Sequence, residues 1–225
     1  MTEEPTNFLY PFIDAQEEDP KSLLDDLTAS AHAKATESLT LRRTTLEVNA
    51  ELLATAAAEM ARRFAAGGRL FTFGNGGSCT DSLMFAAMFA RPPIGRPLPA
   101  WSLAADPSVL TALGNDVGYE LVFARQLIAH AKPGDMAIAI STSGNSPNLI
   151  TALAEAHRRR DMYTIGMAGY AGGAFADNPD VDVCFIVRSQ SIHRIQESQS
   201  LLGYELWLAV HEQLAKQRSE QGVAV

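Results

Sequence analysis

Two short segments rich in hydroxyl, amide and glycine residues are the part of this sequence best suited to bind a ligand. They read GNGGS at 74–78 and STSGNS at 141–146. Hydroxyls and free backbone N–H groups donate hydrogen bonds to anions, and several together hold a phosphate without a cationic side chain. Neither segment contains Lys or Arg, and neither completes a Walker or dinucleotide-binding pattern. The chemistry that they predict is the binding of a phosphate ester.

The elements around these segments predict where they lie. Short apolar runs with little polar alternation, typical of strands buried on both faces, occur at 69–74, 98–105, 135–141, 162–169 and 181–187. Helical patterns alternate with them at about 78–90, 107–113, 117–131, 146–159 and 193–217. The alternation predicts an α/β fold with a doubly wound parallel sheet of about five strands. Both polar segments then follow the carboxyl ends of strands, where such sheets bind ligands; ordinary turns with capping serines are the alternative.

The helix after the second segment has a marked beginning. Ser146 is a favourable N-cap, and Pro147 suits the first helical position, where its missing N–H costs nothing. The free N–H groups of this helix would then point back toward the polar segment and favour an anion there.

The amino-terminal part of the chain contains a long helix without proline or glycine. Leu39, Leu46, Leu53 and Met60 recur every seven residues between about 30 and 66, which predicts an amphipathic helix with one possible break near Thr40. Such a helix suits packing against other helices, within or between subunits. The predicted domains are an acidic tail at 1–28, one domain with its helical extension at 29–217, and a short tail at 218–225.

The charge distribution argues against several classes of partner. The formal net charge is −8, and residues 1–26 carry −7 of it through eight acidic residues and one lysine. The nearly neutral remainder does not predict nucleic-acid binding, and no apolar run has the length of a membrane helix. The two cysteines form no metal-type spacing, so no metal, cofactor or disulfide is expected. This use of cysteine predicts a protein of the reducing cytoplasm. The tail, with NFLYPF at 7–12, is either solvated or a docking segment for a protein partner.

Four motifs together resemble one known family. GNGGS at 74–78, GNDVGYELVFARQL at 114–127, AISTSGNS at 139–146 and RIQE at 194–197 resemble the sugar isomerase (SIS) domain family, over about residues 35–215. Within it, phosphoheptose isomerases, which act on sedoheptulose 7-phosphate, and DnaA initiator-associating proteins are the most similar. The resemblance implies a flavodoxin-like doubly wound five-stranded parallel sheet with an N-terminal helical extension, a homo-oligomer (typically a tetramer), and a sugar phosphate as ligand.

The resemblance also assigns roles to particular residues. The phosphate would be bound by the serines of the second segment with its threonine and asparagine, and the sugar by the first segment and by the 114–127 motif. Gln196 would face the reacting carbons. The substrate-binding residues are therefore Asn75, Gly76, Gly77, Ser78, Asn115, Asp116, Ser141, Thr142, Ser143, Asn145, Ser146 and Gln196.

The acid–base residues of the family are replaced in this chain. The family carries a His and a Glu six and ten residues after the GNGGS serine, and a His eight residues after the RIQE glutamine; some members bind zinc there. Here those positions are Met84, Met88 and Tyr204, and His193 replaces an acidic residue. A thioether takes up no proton at neutral pH, and a phenol is a poor base there. The sequence thus predicts phosphosugar binding with weak or altered catalysis, or a regulatory role.

Other residues offer alternative acid–base groups. His193 and Glu197 are four residues apart and could form a catalytic pair beside Gln196 in an active isomerase; otherwise they are a surface histidine and a glutamate favoured by the helix dipole. Asp81 and Glu120 are further candidates. Cys79 lies near a helix beginning, where its pKa could fall, although small packing is the alternative. The other histidines, His32, His130, His157 and His211, are expected at the surface. A third hypothesis is an oligomeric scaffold that recruits a protein through the acidic tail.

Overall fold

A parallel sheet with helices on both faces forms the body of the protein. The computed structural model describes residues 20–220. The strands are β1 (Leu70–Gly74), β2 (Ala100–Ser102), β3 (Met136–Ile140), β4 (Tyr163–Gly169) and β5 (Val183–Val187). The helices are α1 (Pro20–Ala65), α2 (Gly77–Ala90), α3 (Pro107–Asp116), α4 (Val122–His130), α5 (Pro147–Ala154) and α6 (Ile192–Glu220). The α/β prediction is confirmed.

The strand order creates a point where the direction of the chain reverses. The order is β2-β1-β3-β4-β5 and every pair is parallel, as the predicted flavodoxin-like topology requires. From β1 the chain first moves outward to β2 and then returns to β3 on the other side. Ligands bind at this switch point in open α/β sheets. It is flanked by the two polar segments, because they follow β1 and β3.

Two apolar cores cover the two faces of the sheet. On one face, α1, α2 and α6 bury large side chains such as Met60, Phe85 and Trp207 against the sheet. On the other face, the core includes Phe71, Phe123 and Leu149 from β1, α4 and α5. Neighbouring strand residues divide between the cores, because successive side chains on a strand point to opposite faces. This double burial explains why the strand segments show little polar alternation.

The long helix α1 crosses a boundary between two compact units, Met1–Thr40 and Leu41–Val225. The break that the sequence allows near Thr40 is absent, and the helix is continuous to Ala65. In the first unit, the described residues are helical and Leu24, Leu27 and Leu39 are exposed. The predicted tails at 1–28 and 218–225 lie partly outside the described residues. None of the helices among residues 20–220 has the length and apolar character of a membrane span.

Helices α2 and α6 pack closely along the edge of the first core. A Cβ added to Gly203 of α6 would collide with the Phe85 ring of α2. One turn earlier, Ser200 donates a hydrogen bond to Asp81 at 3.1 Å. Further toward the helix beginnings, the Gln196 amide lies directly over Gly77. This residue-by-residue contact fixes α6 against the helix that follows the GNGGS segment.

An ion pair network on α1 predicts an acid-sensitive contribution to stability. Hydrogen bonds from Arg62, and more weakly from Arg63, lower the pKa of Glu59 from 4.5 to about 2. Because the folded-state pKa is depressed, the stabilisation is present above pH 4.5 and is lost as the pH falls toward 2. We expect Glu59→Gln to lose on the order of 1 kcal/mol of unfolding free energy at pH 7 and progressively less below pH 4. Urea denaturation at pH 7, 4.5 and 3 measures this.

The exposed Glu51 of the same helix provides the control, because no ion pair is formed by its side chain among the described residues. Glu51→Gln should leave the difference in stability between pH 7 and pH 3 unchanged. If Glu59→Gln shows the same pH dependence as the wild type, the Glu59 ion pairs do not stabilise the fold.

Candidate functional site

The two polar segments lie side by side at the switch point. Gly74, the last residue of β1, is in register with Ile140, the last residue of β3. The segments at 75–78 and 141–146 therefore leave the sheet at the same level. Asn75 of the first segment also forms hydrogen bonds with Asn148, in the first turn of α5. The site that the sequence predicts from two separate motifs is thus one contiguous region in space.

The two helices that follow the polar segments have no side-chain caps. The N-cap of α2 is Gly76, which has no side chain, and the N-cap of α5 is Ser146, whose side chain accepts no hydrogen bond from its helix. By contrast, Asp106 caps α3 by accepting from two backbone N–H groups. Ser146 has the predicted position but not the predicted capping bond, so its hydroxyl is free for another partner. Uncapped helix beginnings leave N–H groups and positive partial charge for an anion.

Internal hydrogen bonds shape the 141–146 loop around its own backbone. The Ser141 Oγ accepts from the Gly144 N–H at 3.0 Å, and the Ser143 Oγ accepts from the Asn145 N–H at 3.2 Å. Ser141 is buried, whereas Thr142, Ser143 and Ser146 are partly exposed and Asn145 is exposed. The loop is therefore accessible from one side. Its hydroxyl hydrogens can donate to a ligand while their oxygens accept from the loop backbone.

The end of β4 and the loop that follows it hold the 141–146 loop in place through hydrogen bonds. The Gly169 N–H donates to the Thr142 carbonyl at 2.9 Å, and the Ala174 N–H donates to the Asn145 Oδ1 at 2.8 Å. Gly144 has φ +68, and a Cβ there would collide with the Gly172 carbonyl. The sequence analysis missed this loop. The glycines at 172 and 173, just after the carboxyl end of β4, were the signal that could have indicated it.

Asn75 is held by two residues that the sequence analysis also missed. Its Nδ2 donates to the Asn148 Oδ1 at 2.9 Å, and its Oδ1 accepts from the Asn148 Nδ2 at 2.9 Å. The Tyr119 hydroxyl donates to the same Oδ1 at 3.2 Å. Tyr119 lies in a 3₁₀ turn over Tyr119–Leu121. Sequence alone gives no sign that these three side chains meet, because they come from three separate segments: the end of β1, the 3₁₀ turn and the first turn of α5.

Helix α6 brings two glutamines to the site. The Gln196 amide packs on Gly77, as expected for a residue beside the GNGGS segment. One turn further, the fully buried Gln199 donates from Nε2 to the Ser141 carbonyl at 2.8 Å. Gln199 thus connects α6 to the 141–146 loop. Nothing in the sequence pattern marked it, since an isolated glutamine inside a helix is usually exposed.

Apart from the bond between Tyr119 and Asn75, the 114–127 motif contributes less directly to the site. Asn115 and Asp116 are exposed at the end of α3, and the Asn115 Nδ2 donates to the Asp116 Oδ1 at 2.9 Å. Their predicted contact with the sugar stays a prediction. Glu120 accepts a hydrogen bond from Thr151 of α5 at 3.3 Å, which fastens the 3₁₀ turn to that helix.

Met84, Met88 and Tyr204 are the positions where the resemblance implies acid–base groups, and they lie on α2 and α6. Met84 and Tyr204 are exposed, with 38% and 46% of their surface accessible, and Met88 is half-buried against the first core. Thioethers and a phenol are unsuitable ligands for zinc, which prefers thiolate, imidazole and carboxylate. Among residues 20–220, no group of three His, Cys, Asp or Glu side chains could hold a metal ion.

The predicted substitute pair lies in the first two turns of α6. His193 and Glu197 are both exposed, and Glu197 forms an ion pair with Arg42 of α1 at 3.1 Å. A catalytic role for the two residues stays a prediction.

Burial changes the chemistry of two other groups, Asp81 and Cys79. It raises the pKa of Asp81, and the hydrogen bond from Ser200 only partly opposes this. It also raises the pKa of the Cys79 thiol, so the possible decrease in that pKa is wrong and the alternative of apolar packing holds.

The prediction that all the other histidines lie at the surface is only partly correct. His32 and His130 are exposed, but His157 and His211 are half-buried, and both ring nitrogens of His211 face backbone carbonyls.

Comparison with known proteins identifies relatives of this fold and site. The SIS domain family model matches residues 35–169. A phosphoheptose isomerase of Roseiflexus sp. (strain RS-1) is 44% identical over 164 residues, 71% of this chain and 81% of that protein. The structure of phosphoheptose isomerase from Neisseria gonorrhoeae superimposes with a TM-score of 0.77 at 36% identity, covering 83% of this chain and 99% of that one. For the enzyme from Francisella tularensis, the TM-score is 0.74 at 30% identity, with 84% and 98% covered.

Proposed function

The chain belongs to the SIS domain family, and on that premise we propose that it binds a sugar phosphate at the switch point of its sheet, with weak or altered isomerase catalysis. The 141–146 loop and the beginning of α5 would bind the phosphate. Asn75, the glycines beside it and Gln196 would contact the sugar. The observation that carries the proposal is the pair of uncapped helix beginnings, α2 and α5, which meet at one edge of the sheet.

The absence of Lys and Arg from the 141–146 loop does not prevent phosphate binding. Hydrogen bonds to a charged group contribute roughly 1.5–3 kcal/mol each, so three or four of them suffice for a dianion. The candidate donors are Thr142, Ser143, Ser146 and the N–H groups of α5. The loop holds its own shape through the bonds at Ser141 and Ser143, so little ordering is required when a ligand binds.

The residues on α2 and α6 support altered rather than standard catalysis. Aldose–ketose isomerisation moves a proton between adjacent carbons and therefore needs a general base and an acid. Met84, Met88 and Tyr204 supply neither at neutral pH. An active isomerase that uses His193 and Glu197 is the alternative, and Glu197→Ala would then abolish exchange of substrate C–H protons with solvent.

We further propose that the protein forms a homo-oligomer, namely a homotetramer. Exposed apolar side chains on α2 and α6, Leu83, Met84 and Tyr204, suit contact with a second copy. The scaffold hypothesis, in which the acidic tail recruits a protein, depends mainly on residues outside 20–220. Cytoplasmic localisation stays a prediction from cysteine usage.

A ligand panel tests the proposed function directly. We expect sugar phosphates, sedoheptulose 7-phosphate among them, to raise the melting temperature, while the unphosphorylated sugars do not. At about 100 times Kd, the free energy of unfolding should increase by roughly 2.7 kcal/mol. Thermal shift and calorimetry measure binding, and proton NMR in D₂O measures turnover of any ligand that binds.

Two outcomes would contradict the proposal in different ways. If no sugar phosphate changes the melting temperature, the site does not bind this class of ligand. If sedoheptulose 7-phosphate binds and is isomerised at a rate typical of enzymes, the binding site stands but the claim of weak catalysis is wrong.

A further inference from the structure

The carboxamide of Asn75 has an unusually complete set of partners for a residue expected to contact a ligand. Its Oδ1 accepts from two donors, the Asn148 Nδ2 at 2.9 Å and the Tyr119 hydroxyl at 3.2 Å. Its Nδ2 donates to the Asn148 Oδ1 at 2.9 Å. A carbonyl oxygen has two lone pairs and an amide nitrogen two hydrogens. The acceptor capacity of Asn75 is thus used completely, and one N–H remains.

We propose that Asn148 and Tyr119 are positioning residues that orient the Asn75 amide so that it offers the sugar one N–H donor and no acceptor. The inference rests on the proposed function, because it concerns the sugar part of the same site. It predicts that the ligand presents an oxygen acceptor to Asn75, such as a carbonyl, ring or hydroxyl oxygen. A ligand group that can only donate a hydrogen bond would find no partner there.

Asn148 also connects the two halves of the site. It is the second residue of α5 and is only 3% exposed, so its side chain is held in one place by the surrounding atoms. The helix that carries it begins at the 141–146 loop. The reciprocal amide pair therefore fixes the distance between the sugar-contacting and phosphate-binding segments. A correct spacing of the two matters because a sugar phosphate must contact both at once.

Tyr119 can be tested without disturbing the fold. Tyr119 is 58% exposed, and among the described residues its hydroxyl forms the hydrogen bond that connects it to the site. The bond between Glu120 and Thr151 holds the same 3₁₀ turn on α5 independently. Tyr119→Phe therefore removes one hydrogen bond to the Asn75 Oδ1 and leaves the turn in place.

The experiment compares the affinity for sedoheptulose 7-phosphate with that for inorganic phosphate, both measured by calorimetry on the full chain. We expect Asn148→Leu to weaken binding of the sugar phosphate at least about 10-fold, and Tyr119→Phe about 2- to 10-fold. Inorganic phosphate should bind both variants within about threefold of the wild type, because the 141–146 loop is unchanged. A purely structural role would weaken both ligands together.

A double-mutant cycle separates positioning from general loss of stability. Once Asn75→Ala has removed the amide, Asn148→Leu should cost no further affinity for the sugar phosphate. Additive losses, or equal losses for both ligands, would overturn the inference while leaving the proposed function intact. If Asn148→Leu does not fold, Tyr119→Phe decides the question by the same comparison. A wild type that binds neither ligand would overturn the proposed function and this inference with it.

Discussion

The triple variant Met84→His, Met88→Glu, Tyr204→His is expected to isomerise sedoheptulose 7-phosphate at least about 100-fold faster than the wild type, since each general acid–base group contributes typically about 10²–10⁴ in rate. These substitutions introduce the residue types that the resemblance to phosphoheptose isomerases implies at these motif positions. They add an imidazole and a carboxylate on one face of α2 and a second imidazole on α6. The 141–146 loop, which we propose binds the phosphate, is not altered.

The fold makes this gain of function feasible. Residues 84 and 88 are four apart and lie on the same face of α2. Helix α6 is held against α2 by the contact between Gly203 and Phe85, so residue 204 remains close to that helix. Met84 and Tyr204 are exposed, and polar replacements there should cost little stability. Met88 is half-buried, so Met88→Glu should lower the melting temperature of the variant.

A matched triple variant, Met84→Gln, Met88→Gln, Tyr204→Phe, changes the same positions without adding a group that transfers protons. Proton NMR follows both variants with sedoheptulose 7-phosphate, with and without added Zn²⁺, and calorimetry verifies that each still binds it. If the first variant binds the sugar phosphate as well as the wild type but turns over no faster, replacement of these three residues does not explain weak catalysis.

The sheet could be predicted from the sequence because its signals are local. Five short apolar runs with little polar alternation predicted five parallel strands, and the structure confirms each within a few residues. The two polar segments also predicted their own edge of the sheet, because parallel strands place all carboxyl ends on one side. Helix bounds were less certain, since α1 begins at Pro20, well before the first marked periodicity.

The partners within the site could not be predicted in the same way. Asn75, Tyr119 and Asn148 meet only because a loop, a 3₁₀ turn and the first turn of α5 converge at the switch point, and no spacing along the chain encodes that meeting. Gln199 is buried against the Ser141 carbonyl, although a polar residue in a helix suggests exposure. Long-range hydrogen bonds depend on the packed arrangement of helices on the sheet. The sequence therefore indicates which segments bind and leaves open which side chains orient them.

Gly144→Ala is expected to destabilise the protein by on the order of 3 kcal/mol and to abolish phosphate binding, because strain and a backbone collision act together. Gly144 has φ +68, where a side chain is strained in any surroundings. In addition, the new Cβ would collide with the Gly172 carbonyl and would lie 3.2 Å from the Ala168 Cβ. The loop would have to move away from the residues after β4 that support it.

Gly134 provides a matched control for the conformational strain. It has φ +88, but no atom lies within 4 Å of an added Cβ, and it precedes β3 at the opposite edge of the sheet. Gly134→Ala should therefore cost only the conformational strain, about 1–2 kcal/mol. Urea denaturation of both variants, with calorimetry of inorganic phosphate, isolates the contribution of the close contact.

The comparison of Gly144→Ala with Gly134→Ala also tests how a loop without Lys or Arg can bind a dianion. Weak donors are sufficient only if they already point at the ligand, and the Gly144 N–H is bonded to the Ser141 Oγ within that arrangement. Ser143→Ala removes one hydroxyl and should weaken phosphate binding by about 10-fold, whereas Gly144→Ala displaces the backbone that orients every donor. Suppose that Gly144→Ala binds phosphate like the wild type and is no less stable than Gly134→Ala. The contact between Gly144 and the glycines after β4 then does not orient the hydrogen-bond donors of the 141–146 loop.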